Sequence, residues 1–297
     1  MRTNGEPSIG ISFSLVLIVC ASSMGAVLIG SDVRVDVLFE IDPATASLTS
    51  IGALDDPVVA SLTYDSNHSI LYGSSALNNT LLTIDPSTGD VSVVGPLGVD
   101  LMQAIEYNSN TDILYGIDVD TDELYTIDVV TGLATSVGMA GFTDVNEFGG
   151  VGGMAYDPLN DVMYATDAGP FGSSGLFTVS LGTGEITLVG EFNNNLVAQM
   201  TGLAFDPTLG LYGADNGHSS GVPDRLFRID ASTGHATHVG DMGDNANFLG
   251  LTFIPEPSTG LGLMFLAAYT WRRGTKRKSK SHLLSWIDQR PRYRLPV

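Results

Sequence analysis

The middle of the chain is written in short apolar runs separated by polar turns, the pattern of β-strands joined by hairpins. One phrase recurs five times: Leu38-Phe39-Glu40-Ile41-Asp42, Leu81-Leu82-Thr83-Ile84-Asp85, Leu124-Tyr125-Thr126-Ile127-Asp128, Leu176-Phe177-Thr178-Val179-Ser180 and Leu226-Phe227-Arg228-Ile229-Asp230. Each leads through a turn such as Pro86-Ser87-Thr88-Gly89 into a second run that ends at Gly52, Gly95, Gly138, Gly190 or Gly240. The Asp or Ser that opens the turn can bond the backbone ahead of it. Glycine at four of the five sites (Gly89, Gly132, Gly184, Gly234) supplies a left-handed residue, which predicts a three-residue hairpin loop.

A second phrase alternates with the first: Leu62-Thr63-Tyr64-Asp65, Ile105-Glu106-Tyr107-Asn108, Met154-Ala155-Tyr156-Asp157, Leu203-Ala204-Phe205-Asp206 and Leu251-Thr252-Phe253. The first four are followed by short runs such as Ile70-Leu71-Tyr72-Gly73. Each unit therefore reads as four strands, a to d. The repeat starts lie 43, 43, 52 and 50 residues apart, the size of a four-stranded propeller blade. Residues 27–42 align without gaps to 113–128, so the first unit lacks strand a, while the strand near 250–254 is a strand a lacking b, c and d. One repeat split between the two ends predicts a closed ring: an all-β, five-bladed β-propeller over residues 27–254. A β-sandwich, a parallel β-helix and a four-bladed ring with loose ends are the competing arrangements.

Charge sharpens this picture. The formal net charge is −20. Between residues 27 and 254 there are 30 acidic residues against Arg34, Arg225 and Arg228, a net of −27, and nine of the ten remaining bases follow Trp271. An acidic body argues against nucleic-acid binding, which requires bases to neutralise phosphates. The single cysteine, Cys20, lies in the N-terminal apolar run, so the body has no intrachain disulfide and no cysteine-ligated metal.

The two ends read as addresses. Arg2, an apolar core at 13–20 and the small residues Ser22, Ser23, Gly25 and Ala26 have the layout of a signal peptide, assigned to residues 1–26. A lipoprotein reading at Cys20 is disfavoured by the bulk of Val19. At the other end, Pro255-Glu256-Pro257 precedes an apolar stretch, expected to form a short hydrophobic helix, and the bases Arg272, Arg273, Lys276, Arg277, Lys278 and Lys280. The prolines end the preceding strand, the apolar stretch can enter a bilayer, and the bases resist translocation. This order of parts, over residues 255–280, resembles the PEP-CTERM sorting domain of Gram-negative bacteria. The resemblance implies an exosortase-type processing partner, an inner-membrane-tethered precursor and a final place in the cell envelope or outside the cell. The apolar part from 258 to 271 is shorter than a full span, and residues 281–297, read as a disordered basic extension, follow where such tails stop.

Candidate chemistry is sparse. Gly217-His218-Ser219-Ser220-Gly221 satisfies G-x-S-x-G, but a nucleophile elbow needs a following helix and none is expected in this b–c loop. Asp118, Asp120 and Asp122 open like a calcium loop; Glu123 and Val129 occupy positions where an EF-hand has Gly and Glu, leaving a weaker structural calcium or an empty acidic loop. His235 and His238, three apart on a strand, point to opposite faces, and His68 and His218 sit in turns without a near partner. The aromatics Tyr64, Tyr107, Tyr156 and Phe205 read as packing between blades rather than a carbohydrate platform. No polar residue stands out along strand a. The expectation is a noncatalytic exported surface or matrix protein needing no cofactor, with an extracellular polysaccharide or surface protein as partner. A secreted propeller lyase or lactonase with a channel-mouth active site is the alternative.

Overall fold

A computed structural model describes residues 25–141, 150–167, 174–192, 197, 199–217, 223–243 and 246–255. The described residues hold twenty strands in five four-stranded antiparallel sheets and no helix long and apolar enough to cross a membrane. Blade 1 is the split one: β20 (Phe248–Pro255) pairs with β1 (Ala26–Asp32), then come β2 (Val37–Ile41) and β3 (Leu48–Ala53). Blade 2 is β4 (Val59–Asp65), β5 (Ile70–Ser75), β6 (Thr80–Ile84) and β7 (Val91–Pro96). Blade 3 is β8 (Met102–Asn108), β9 (Ile113–Asp118), β10 (Glu123–Ile127) and β11 (Ala134–Met139). Blade 4 runs from β12 (Val151–Asp157) and β13 (Val162–Asp167) to β14 (Gly175–Val179) and β15 (Ile186–Glu191). Blade 5 is β16 (Met200–Asp206), β17 (Gly210–Asp215), β18 (Asp224–Ile229) and β19 (Ala236–Gly243).

Strand a is the innermost of each blade, and each packs on the next: β4 on β8, β8 on β12, β12 on β16, β16 on β20 and β20 on β4. That cycle is a five-bladed propeller. The burial gradient follows from it. β4 and β12 are buried along almost their whole length, whereas β3, β7, β11 and β15 alternate between half-buried and exposed. Five hydrophobic cores fill the five gaps, one between each pair of adjacent blades.

The repeat phrases acquire physical roles. In every blade strand c carries a β-bulge directly after its leucine, and that leucine pairs with the glycine of strand d, as in Leu38 with Gly52 and Leu124 with Gly138. A bulge increases local twist, which each blade needs to fan outward from the axis. The c–d loop is one residue longer than the sequence pattern predicts. Asp85 N–H bonds the Asp90 carbonyl (2.9 Å), leaving residues 86–89 as a four-residue loop that Gly89 N–H closes onto the Asp85 carbonyl (2.8 Å). Asp85 Oδ1 accepts from Ser87 N–H (2.8 Å), so the side chain satisfies a further donor and favours the longer loop. Gly89 has φ +83°, and Ala46 takes the same place in blade 1 with φ +63°.

The closing blade extends one residue beyond the predicted 27–254 at each end, with Ala26 opposite Pro255 in the β1–β20 ladder. A proline is tolerated there because a strand terminus does not need its missing N–H. Residues 1–24 and 256–297, which include Glu256, Pro257, the expected C-terminal helix and the basic cluster, lie outside the described residues.

Candidate functional site

The inner strands pair on one edge only, with strand b, so their other backbone edge faces the channel and needs partners. Side chains supply them across every blade joint. Ser31 Oγ donates to the Val59 carbonyl (2.9 Å), Ser61 Oγ accepts from Ile105 N–H (3.0 Å), and Thr63 Oγ1 accepts from Tyr107 N–H (3.0 Å). Thr166 Oγ1 donates to the Met200 carbonyl (3.0 Å), and Thr201 Oγ1 to the Phe248 carbonyl (2.7 Å). At the joint between blades 3 and 4 the partner is Glu106, whose Oε1 accepts from Tyr156 N–H (3.1 Å).

Glu106 is the residue that sequence reasoning missed. The second position of the strand-a phrase reads Thr63, Glu106, Ala155, Ala204 and Thr252, so a single ionisable group stands in a ring of small side chains. It opens on a cavity of about 240 Å³ at the end of the channel where the inner strands finish. Tyr64, Tyr107, Tyr156, Phe205 and Phe253 also contribute to the lining. The residue as a whole is half-buried, but its carboxyl is desolvated. Burial pushes its pKa up to about 8, against the hydrogen bonds from the Thr63 hydroxyl and Tyr156 N–H that favour the anion. The cavity's second carboxyl, Asp206, is committed to its own turn, accepting from Thr208 and Leu209 N–H (2.8 Å each). No His, Lys or Arg lines the cavity among the described residues.

The aromatics of this ring are packed as expected. Tyr107 and Tyr156 are buried, and their hydroxyls donate to Asp112 and Asp161 in the a–b turns of their own blades. Asn67 Nδ2 of blade 2 donates to the Tyr107 hydroxyl (3.0 Å), tying two blades together. Burial, reinforced by the bond to Asp161, pushes the Tyr156 phenol up to about 12.

At the opposite end of the channel, strand b closes on a recurrent acid that secures the loop entering strand a. Asp32 Oδ1 accepts from Asn247 N–H (3.1 Å), Asp118 Oδ2 from Leu101 N–H (2.9 Å) and Asp215 Oδ1 from Gln199 N–H (2.8 Å). Blade 2 has Ser75 at that position, and the carboxylate comes from Asp56, which accepts from Ser75 Oγ and Asn78 Nδ2. This places the calcium candidates. Asp118 is fully buried and also accepts from Thr121 N–H and Oγ1; Asp122 Oδ2 accepts from Gly141 N–H (2.9 Å). Asp118, Asp120 and Asp122 do not bring their oxygens together. Among the described residues, one triad of metal-ligating side chains has its ligand atoms within 4.8 Å of one another: Asp65, His68 and Asp112.

His238 packs on Phe227, with ring centroids 5.6 Å apart, and its Nε2 lies 3.0 Å from Asp241 Oδ1. His235 precedes β19 in the c–d loop, so the two histidines do not share a site. Of the G-x-S-x-G run, Gly217 is described and residues 218–221 are not. Of the three residues expected to form a sorting motif, Pro255 ends β20, and Glu256 and Pro257 lie outside the described residues.

No protein-family model and no curated protein matches the chain. Among solved structures, a chain from a nidogen/laminin complex is similar at 11% identity with a TM-score of 0.53, covering 77% of this chain and 98% of that one. A gluconolactonase from Xanthomonas campestris aligns at 11% identity and a TM-score of 0.48, covering 77% and 76%. A putative 6-phosphogluconolactonase from Bacteroides fragilis aligns at 10% identity and 0.47, covering 79% and 99%. At these identities the likeness is one of fold alone. The chain is a five-bladed β-propeller whose channel-end cavity is lined, among the described residues, by the desolvated carboxyl of Glu106.

Proposed function

We propose that this chain is an exported, noncatalytic propeller of the cell envelope or extracellular matrix, delivered by its N-terminal signal segment and sorted through its PEP-CTERM-like tail. The observation that carries this reading is the pairing of Ala26 with Pro255. Both addressing segments join the domain at the same end of one antiparallel ladder, where Ala26 faces Pro255. Removal of the expected signal segment, residues 1–26, and of the chain after Pro255 takes from the twenty strands only Ala26, the first residue of β1. An acidic body with three arginines and a cavity lined, among the described residues, by no basic side chain support a binding or structural role. Intact-mass measurement on protein recovered from its native envelope tests the reading. Loss of both ends, with a new C-terminus near Pro255, is the expected result; recovery of the full 297-residue mass overturns it.

Glu106 favours a second reading, a secreted lyase or lactonase. A carboxyl kept protonated near neutrality beside a solvent-reachable cavity is poised to donate a proton. Turnover of a lactone or an acidic polysaccharide by the wild type, abolished in Glu106→Gln, would establish it. Equal activity in the two proteins would remove Glu106 from any such chemistry.

A further inference from the structure

We propose that Asp65, His68 and Asp112 form a binding site for a borderline divalent cation of the zinc class, bridging blades 2 and 3. Asp65 ends β4, His68 lies in the turn that follows, and Asp112 lies in the equivalent turn of the next blade. His68 Nδ1 is 2.8 Å from Asp65 Oδ2 and 3.6 Å from Asp112 Oδ1. Zinc-to-ligand bonds of 2.0–2.2 Å in a tetrahedron imply ligand atoms about 3.3 Å apart. The two measured separations bracket that value, and all three ligand atoms lie within 4.8 Å of one another, so side-chain adjustment alone can seat an ion.

Both carboxylates are held by hydrogen bonds, Asp65 through the oxygen turned away from the histidine and Asp112 through the oxygen nearest it. Asp65 Oδ1 accepts from Asn67 and His68 N–H (2.9 Å each), which leaves Oδ2 to face the histidine. The Tyr107 hydroxyl holds Asp112, whose backbone sits in the left-handed region at φ +62°. Such outer contacts fix ligand geometry in metal sites. His68 and Asp112 are more than half exposed, so an ion has access and water can complete its coordination, whereas Asp65 is buried. An imidazole with two carboxylates suits zinc, cobalt or nickel; calcium and magnesium prefer oxygen alone.

The same turn in the neighbouring blades shows what is particular to this one. In blade 4, Asn160 occupies the place of His68, and its Nδ2 donates to Asp157 Oδ2 at 2.7 Å. The turn therefore needs only a donor at that position, and an amide suffices. The places of His68 and Asp112 hold Thr111 and Asp161 at the next joint, and Asn160 and Gly210 at the one after. Among the described residues, only the joint between blades 2 and 3 combines a nitrogen ligand with two carboxylates.

The repeat supplies the discriminating variant. His68→Asn restores the arrangement of Asn160 and keeps the turn, while removing the metal-binding nitrogen. Full-length protein is titrated with Zn²⁺, and with Co²⁺ followed by its visible absorption, in buffer containing excess Mg²⁺. The wild type is expected to bind one equivalent saturably and to melt at higher temperature with Zn²⁺ present. His68→Asn and Asp112→Asn are each expected to melt like the metal-free wild type and to lose about tenfold or more in affinity. Undiminished binding in both variants, or no saturable binding in the wild type, overturns the proposal.

Discussion

Glu106 completes a set of five side-chain stitches, each running to the backbone of the inner strand of the next blade, a role that Ser or Thr fills at the other joints. A carboxyl there is stable in its protonated form, and this has a pH signature. The folded pKa is raised to about 8 from 4.5, so between those values the native state holds a proton that the unfolded chain has released. The stabilisation is fully present below the unfolded value and is lost as pH rises through the folded one. The slope contributed by this single group is at most about 1.4 kcal/mol per pH unit. Glu106→Gln keeps an acceptor for Tyr156 N–H and removes the titration. Denaturant melts from pH 5 to 8.5 should show the variant gaining on the wild type as pH rises; parallel curves would mean that the carboxyl is solvated. Asp118 carries a different load. Fully buried, it serves Leu101 N–H and Thr121, so Asp118→Ala should cost about 2–4 kcal/mol in an equilibrium melt, with or without calcium, because several donors lose their partner. The D-x-D-x-D spacing was visible in the sequence, but Asp118 and Asp122 serve separate loop contacts and Asp120 is exposed. Which carboxylates converge depends on the neighbouring blade. For the same reason His68, beside Asp65 in sequence, looked partnerless until Asp112 arrived from 44 residues away.

Strand d's terminal glycine and the c–d turn glycine were both conspicuous in the sequence, yet only their meeting across blades explains them. A Cβ on Gly52 would stand 1.7 Å from the Thr88 carbonyl oxygen, and one on Gly95, Gly138 or Gly190 would stand 2.0–2.2 Å from the oxygen of Thr131, Thr183 or Thr233. Gly89, Gly132, Gly184 and Gly234 face the same seam from the other side, and a Cβ on each would stand within 3.0 Å of a backbone atom of the preceding blade. The contact at Gly240 is looser, 2.6 Å to the Thr45 oxygen, and there the turn residue is Ala46. These backbones cannot yield as a flexible side chain would. Gly95→Ala should therefore cost about 3 kcal/mol or more, the scale of an overpacked core. Gly98→Ala, strained at φ +79° but with its nearest atom at 3.7 Å, should cost about 1 kcal/mol. Gly182→Ala, in open space with no positive φ, should be neutral or slightly stabilising. Thermal melts of the three variants order the two effects, and a Gly95→Ala no worse than Gly98→Ala would show the seam to be loose. Strand identity, order and pairing were legible because inner strands are apolar runs and each turn announces itself chemically. Loop length and the one-residue extension at each end were not, since both depend on hydrogen bonds that the pattern of apolar positions does not encode.

Closure is a property of the whole ring, and its cost is concentrated in β20. That strand supplies the inner edge of blade 1, pairing with β1 from Ala26 to Asp32, and it packs on both β4 and β16. Phe248, Leu251 and Phe253 are buried in the core shared with blade 5. Losing them exposes side chains worth about 1.5–3 kcal/mol each. It also leaves β1 with an unpaired edge, Thr201 Oγ1 without the Phe248 carbonyl, and Ser31 Oγ without Gly250 N–H. Together these losses are comparable with the entire 5–15 kcal/mol by which domains are stable. A chain ending at residue 247 should therefore fail to show a cooperative melt, although it retains nineteen of twenty strands. A chain ending at residue 256 should melt as the full-length protein does, because every described strand is retained. The comparison separates a closed ring from four blades with a dispensable fifth. An open stack of repeats loses stability in proportion to the strands removed, since each unit contacts only its neighbours. A ring loses it all at once, because the deleted strand is the joint at which the first unit meets the last.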